Sequence, residues 1–177
     1  MNKLLLSIFL LAQLAGCKVK DPFPKSPPPA NPLDQLPPAT QTGQYTFGCL
    51  VDGRAWLPAG SPLNGPLVTA SYASRNLVVV ANGASKVNGV VSGGIMHIEI
   101  NAISIPGRYI LAKKDTSFVR YDTGQCVFTT DALHPATVEI TRLDLVARIV
   151  SGRFAFTLDT PGCGQVIVSD GRFDARF

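Results

Sequence analysis

Side chains that could move protons are scarce in this chain of 177 residues: it holds two histidines, and its glutamates are Glu99 and Glu139 alone. His97 lies on the polar side of an alternating stretch from residue 95 to 103, and His134 precedes Pro135 in loop-like sequence. Neither has the i, i+4 partner of a His-Glu-x-x-His zinc site. Asp122-Thr123-Gly124 carries the core of the aspartic-protease signature, in which two carboxylates share one proton. Gln125 follows where Ser or Thr is expected, and no second copy exists, so the tripeptide reads as a turn. The run Asp170-Gly171-Arg172-Phe173-Asp174 could lend oxygens to calcium but lacks the spacing of a calcium loop, and reads as a turn leading into a strand. Serine-hydrolase elbows and phosphate-cradling glycine loops are missing from the sequence. The expectation is therefore no catalytic residue, no metal and no cofactor. A hydrolase would have to assemble its carboxylates from distant Asp and Glu positions.

Residues suited to binding are easier to find. Tyr45 and Trp56 could form an aromatic platform for a sugar, although a single tryptophan beside the turn Asp52-Gly53 is also what a core anchor looks like. One pattern recurs three times: Gly107-Arg108-Tyr109, Gly152-Arg153-Phe154 and Gly171-Arg172-Phe173. Three strand starts built alike account for it, with arginine outward and the aromatic inward. An arginine stripe gripping an anionic glycan or phosphate would need the three strands to be neighbours, which the sequence does not require.

The four cysteines divide by context. Cys17 ends Leu14-Ala15-Gly16-Cys17, preceded by Lys3 and an apolar run, and this stretch resembles a bacterial lipobox whose cysteine is acylated after cleavage of residues 1–16. The apolar run is about half the ~20 residues that a membrane-spanning helix needs. Two acyl chains make a stable anchor. Export implies an oxidising compartment, where Cys126 and Cys163, both in turn-like sequence, are the expected disulfide. Cys49 lies in an apolar strand and is expected as a small buried thiol. No Cys-x2–4-Cys pair supports zinc.

These residues must be held by a domain of modest size. Residues 18–42 carry eight prolines and read as a disordered tether, sampling polyproline II at ~3.1 Å per residue. From Gly43 the texture is β: runs at 45–51, 68–72, 77–81, 87–91 and 95–103, then 108–111, 125–129, 137–143, 149–158, 166–168 and 171–177, separated by Gly, Asn and Pro. About ten short strands without a long amphipathic helix predict a single antiparallel all-β sandwich over 43–177. The formal charge of +4 shrinks once the signal and tether are set aside, because residues 43–177 hold 12 Lys and Arg against 10 Asp and Glu. Signs so mixed exclude a nucleic-acid binder, which clusters its basic residues.

The stretch Leu36-Pro-Pro-Ala-Thr-Gln-Thr-Gly43, with Thr46-Phe-Gly-Cys-Leu-Val51 and Trp56, resembles a family of Bacteroidota lipoproteins known as a domain of unknown function. Ile140-Thr-Arg-Leu-Asp144, Ile149-Val-Ser-Gly-Arg-Phe154 and Val168-Ser-Asp-Gly-Arg-Phe-Asp174 resemble that family's final strands. The resemblance spans about residues 36–177, departs at Gln44-Tyr45 and Asp52, and implies an exported β-rich domain without supplying an activity. Taken together, the expectation is a lipid-anchored envelope protein of the outer membrane, tethered to the membrane through Cys17. It would be a non-enzymatic module binding a protein partner or a glycan. The alternatives are an accessory subunit of an outer-membrane assembly and a carboxylate-based hydrolase. Cys17→Ala is expected to release the protein from the membrane fraction or leave it uncleaved; unchanged membrane association on fractionation would overturn the anchor.

Overall fold

The computed structural model describes residues 31–60, 65–87, 90–112 and 116–177, with backbone alone at 84–87 and 90–93. The signal peptide, Cys17 and the tether up to residue 30 lie outside the described residues. A short 3-10 turn (Pro32–Gln35) precedes eleven strands: β1 (Thr46–Val51), β2 (Arg54–Trp56), β3 (Val68–Ala73), β4 (Asn76–Val87), β5 (Val90–Ile100), β6 (Gly107–Leu111), β7 (Phe118–Asp122), β8 (Val127–Thr129), β9 (Ala136–Asp144), β10 (Ile149–Thr160) and β11 (Gly164–Arg176). They form an antiparallel β-sandwich, with a six-stranded sheet ordered β2-β1-β11-β10-β9-β6 over a five-stranded sheet ordered β3-β4-β5-β7-β8. Among the described residues no helix is long and apolar enough to cross a membrane.

Period-two alternation sends one side of each sheet inward. Phe154, Phe156 and Leu158 of β10 are buried while Arg153, Ala155 and Thr157 between them face water. Phe47, Phe154 and Phe173 cluster with ring centroids 5.1–6.5 Å apart. Leu77, Val79, Met96, Ile98 and Val119 of the other sheet belong to the same core. Trp56 is 5 % exposed, edge-on to Phe47 and Tyr121.

Several strands are longer than their sequence texture suggested, because glycines read as turns lie mid-strand under aromatic rings. Asn82-Gly83 and Gly93-Gly94 do not break the chain; Gly83 pairs with Gly94, and the Trp56 ring lies against both. Gly152 and Gly171 likewise lie inside β10 and β11, so only Gly107 of the three Gly-Arg-aromatic repeats starts a strand. The pairing of those two repeats sets the register of the sheet. Gly152 stands opposite Phe173, Arg153 opposite Arg172, and Phe154 opposite Gly171. On the inner side each ring covers the other repeat's glycine. A Cβ at Gly171 would fall 2.5 Å from the Phe154 ring, and one at Gly152 would fall 2.6 Å from the Phe173 ring. Aromatic cover of this kind recovers packing that a mid-strand glycine forfeits.

Cys126, just before β8, is bonded to Cys163, between β10 and β11, so the disulfide joins the two sheets across 37 residues of sequence. A loop of that length corresponds to roughly 3–4 kcal/mol in the chain-entropy account. Cys49 is free and buried, and burial pushes its thiol up to about 12, which leaves it protonated and unreactive.

The domain begins earlier than expected. Residues 31–42, read as the end of a disordered tether ending at 42, are placed on the sandwich: Leu36 is buried, and Pro37 fills the space above Gly48, where a Cβ would fall 2.7 Å from the proline ring. The prolines there serve as packing, because their backbone lacks a donor and they face a sheet surface with a glycine-shaped gap. Gly171→Ala is expected to cost about 1–3 kcal/mol in urea unfolding through overpacking against Phe154. A loss below about 0.5 kcal/mol would mean that the ring is not locked over the glycine.

Candidate functional site

The Gly–Phe register opposes the arginines of two repeats, and the pairings of β9 set the third on the same transverse row of the six-stranded sheet. In strand order the row reads Gly48, Arg172, Arg153, Glu139 and Arg108. The strands are thus close enough for the stripe that the sequence left open, with Glu139 set between its second and third members. Arg153 and Arg172 are directly opposed, and in that geometry Cβ atoms stand about 5 Å apart and like charges destabilise the sheet. Arg172 is half-buried, donating from Nε to the Asp170 carbonyl at 3.2 Å and from Nη1 to the Pro37 carbonyl at 3.3 Å. Arg153 and Arg108 are exposed, and among the described residues neither side chain makes a hydrogen bond or ion pair.

Around this pair the surface is hollowed. A depression of about 350 Å³ is lined by Ala39, Thr137, Glu139, Arg153, Ala155 and Arg172, with Asp170 and Gly171 at one side. A β-bulge shapes that side. Ala155 of β10 faces two residues of β11, Ser169 and Asp170, and Asp170 takes a left-handed φ of 54°. The extra residue shifts the inward–outward parity of β11 so that Val168 and Gly171 both face the core. Asp170 thereby joins Arg172 on the outer side, the re-aiming that bulges perform. The hollow therefore holds two guanidinium groups, two carboxylates, a threonine hydroxyl and a floor of small residues.

The rim is the segment leading out of the tether, and it is latched by Asp174, the next outward residue of β11. This carboxylate is 1 % exposed and accepts five hydrogen bonds. Its donors are Thr40 Oγ1 (2.7 Å), Thr42 N (2.9 Å), Gly43 N (2.8 Å), Gln44 N (3.2 Å) and Ser151 Oγ (2.8 Å). Burial works to raise its pKa, but the hydrogen bonds from Thr40, Ser151, Thr42 and Gly43 outweigh it and hold the carboxyl down at about 2. Arg142 donates to the Gln41 carbonyl and Arg176 to that of Thr42, which completes the latch.

The residues singled out from sequence separate. Trp56 is a core side chain and offers no platform to a ligand: the glycines at 83 and 94 leave an apolar slot that its ring fills. Tyr45 is 52 % exposed and borders a different groove of about 580 Å³ with Leu67, Val68, Ala70 and Phe177, so the two aromatics are not brought together. His97 lies beside Glu99 (3.3 Å) on the outer side of the five-stranded sheet, and His134 beside Asp131 (3.2 Å) in a loop. Asp122-Thr123-Gly124 forms the β7–β8 turn, with Asp122 Oδ1 accepting from Gly124 N at 2.8 Å. Asp170 and Asp174 belong to one continuous strand, where a turn followed by a strand was expected, and Asp174 is occupied by backbone donors. Thr137 and Ala39 carried no signal of their own in the sequence, and Glu139 only that of being one of two glutamates. The two Gly-Arg-Phe copies did, since glycine can face phenylalanine in both only if the arginines are opposed.

Because Asp174 titrates lower in the folded chain than its ordinary value of 3.8, its stabilisation is complete above about pH 4 and lost as pH falls towards 2. Asp174→Asn, which turns an amide towards donors, is expected to cost about 3 kcal/mol. The protection of the Thr42, Gly43 and Gln44 amides, relative to their intrinsic exchange rates, should fall in this variant at neutral pH and in the native chain between pH 4 and 2. Protected amides in both would refute the latch.

No protein-family model matches the chain, and neither a curated protein nor a solved structure matches it.

Proposed function

We propose that this is an exported envelope protein, lipid-anchored through Cys17 to the outer membrane, whose folded part is a non-enzymatic binding module that uses the outer side of its six-stranded sheet. The lipobox-like sequence and the resemblance to Bacteroidota lipoproteins of unknown function support the anchor and the compartment. One observation carries the binding reading. Two like-charged arginines are opposed at the centre of a sheet, uncompensated by an ion pair and bordering a hollow of ligand size. Folding gains nothing from opposing the two charges themselves, and local costs of this kind gather at functional sites. The partners on this reading are the membrane, through lipid, and an envelope glycan or protein, without nucleic acid, metal or cofactor.

The groove beside Tyr45 favours a second reading, an accessory subunit of an outer-membrane assembly. It runs along β3, an open edge of the five-stranded sheet, and edges accept an added strand.

Photocrosslinking in intact cells separates the two. A photoreactive residue replacing Ala155, in the hollow, is expected to capture envelope material, and Arg153→Ala in the same chain should abolish the adduct. Capture from Thr69 on β3 but not from position 155 would overturn the sheet-surface reading in favour of the assembly subunit. Recovery of a cleaved ligand, dependent on Glu139, would overturn the non-enzymatic reading.

A further inference from the structure

We infer that the hollow is a site for an acidic saccharide, a sugar carrying a carboxylate or phosphate; this rests on the outer side of the six-stranded sheet being the binding surface. Arg153 and Arg172 face each other across β10 and β11; Arg153 presents a whole planar donor fork and Arg172 the N–H groups that its two carbonyl contacts leave over, donors that carboxylate and phosphate oxygens match. Arg172 is already oriented by the Asp170 and Pro37 carbonyls, so a ligand needs to immobilise only Arg153. An anion bridging the two guanidinium groups would turn a repulsive pair into two charge-assisted contacts.

A bare anion would nonetheless be poorly served, because Glu139 and Asp170 flank the same hollow and repel it. These carboxylates are acceptors, and Thr137 adds a hydroxyl that both donates and accepts. The complementary ligand therefore has a negative group for the arginines and several neutral donors, hydroxyl or amine, for the carboxylates. Sugars with an acidic substituent have that pattern, while nucleic acid does not, since a polyphosphate would meet Glu139 and Asp170 with no exposed aromatic ring in the lining for base stacking. The volume of about 350 Å³ lies at the small end of small-molecule sites, suited to a short saccharide end more than to a long chain. The small Ala155 on the floor leaves room above the sheet that a larger side chain would fill.

The test uses the full mature lipoprotein in neutral detergent, immobilised, with oligogalacturonate, a hexose 6-phosphate, a neutral gluco-oligosaccharide and inorganic phosphate as probes. One or both acidic sugars should bind, weakening with salt, and Arg153→Ala should reduce that binding at least tenfold. Oligogalacturonate alone or the hexose phosphate alone would identify the acidic group as carboxylate or phosphate. Arg153→Lys, which keeps the charge and loses the fork, should fall between the two. The melting temperature of Arg153→Ala should be unchanged or higher, since a like-charge pair is relieved; a lower value with equal loss of binding would indicate a structural role and overturn the assignment. Inorganic phosphate binding as tightly as either acidic sugar would reduce the site to an anion site and overturn the saccharide. Equal binding of the neutral oligosaccharide, still lost in Arg153→Ala, would overturn the acidic class while leaving the binding surface intact. Binding of no probe would overturn the saccharide inference, whereas failure of the surface itself would be read separately, as absence of the crosslink at position 155.

Discussion

The reciprocal fit of glycine and phenylalanine between β10 and β11 is the constraint on which the rest of this molecule turns. Each strand offers a gap where the other offers a ring, so the two can meet in one register. A slip by one residue would move every phenylalanine to the wrong side. The aromatic cluster of Phe47, Phe154 and Phe173 then forms at the middle of the larger sheet, and the five-stranded sheet closes over it. What the inner side gains in packing, the outer side answers for: the residue between glycine and phenylalanine is arginine in both strands, and the same register that stacks the rings opposes the charges.

The outer side is also where the chain returns to its tether. Pro37 settles on Gly48, Asp174 gathers three backbone amides and two hydroxyls, and the segment between them forms one wall of the arginine hollow. A carboxylate buried this deeply is tolerable only because its acceptor capacity is met by donors that have no other partner in the leading segment. The rim is consequently fixed by the sandwich itself. A ligand in the hollow would touch sheet and leading segment at once, through Arg172, whose guanidinium already bridges Pro37 and Asp170.

Much of the fold was legible from alternation. The strand at 95–103 and the apolar run at 149–158 announce half-buried strands, and the cysteines in turn-like sequence announce the bond that joins the two sheets. Strand lengths were not legible, because Asn82-Gly83 and Ser169-Asp170-Gly171 carry turn chemistry that packing overrides: a tryptophan or phenylalanine above a glycine supplies contacts a turn could not. Trp56 reads from sequence as a core anchor more readily than as a sugar contact, and the slot formed by Gly83 and Gly94 settles it for the core. The leading segment was hidden for a related reason. Proline-rich sequence resembles a spacer until a complementary surface for it exists, and that surface is built from β1 together with β10 and β11, the last two far away in the chain.

By itself, the sequence determined the classes of structure and chemistry open to this protein: an all-β domain, a signal-like start ending in a lipobox-like stretch, and a want of catalytic motifs. Those follow from residue type and local period, which need no knowledge of distant neighbours. Which side chains share a site was decided by tertiary structure alone. Arg172, Arg153, Glu139 and Arg108 are separated by up to 64 positions and become one row only when four strands pair in register. Hydrogen bonding across a sheet is non-local, and the side on which each residue emerges depends on a bulge at Asp170 that no local pattern announces.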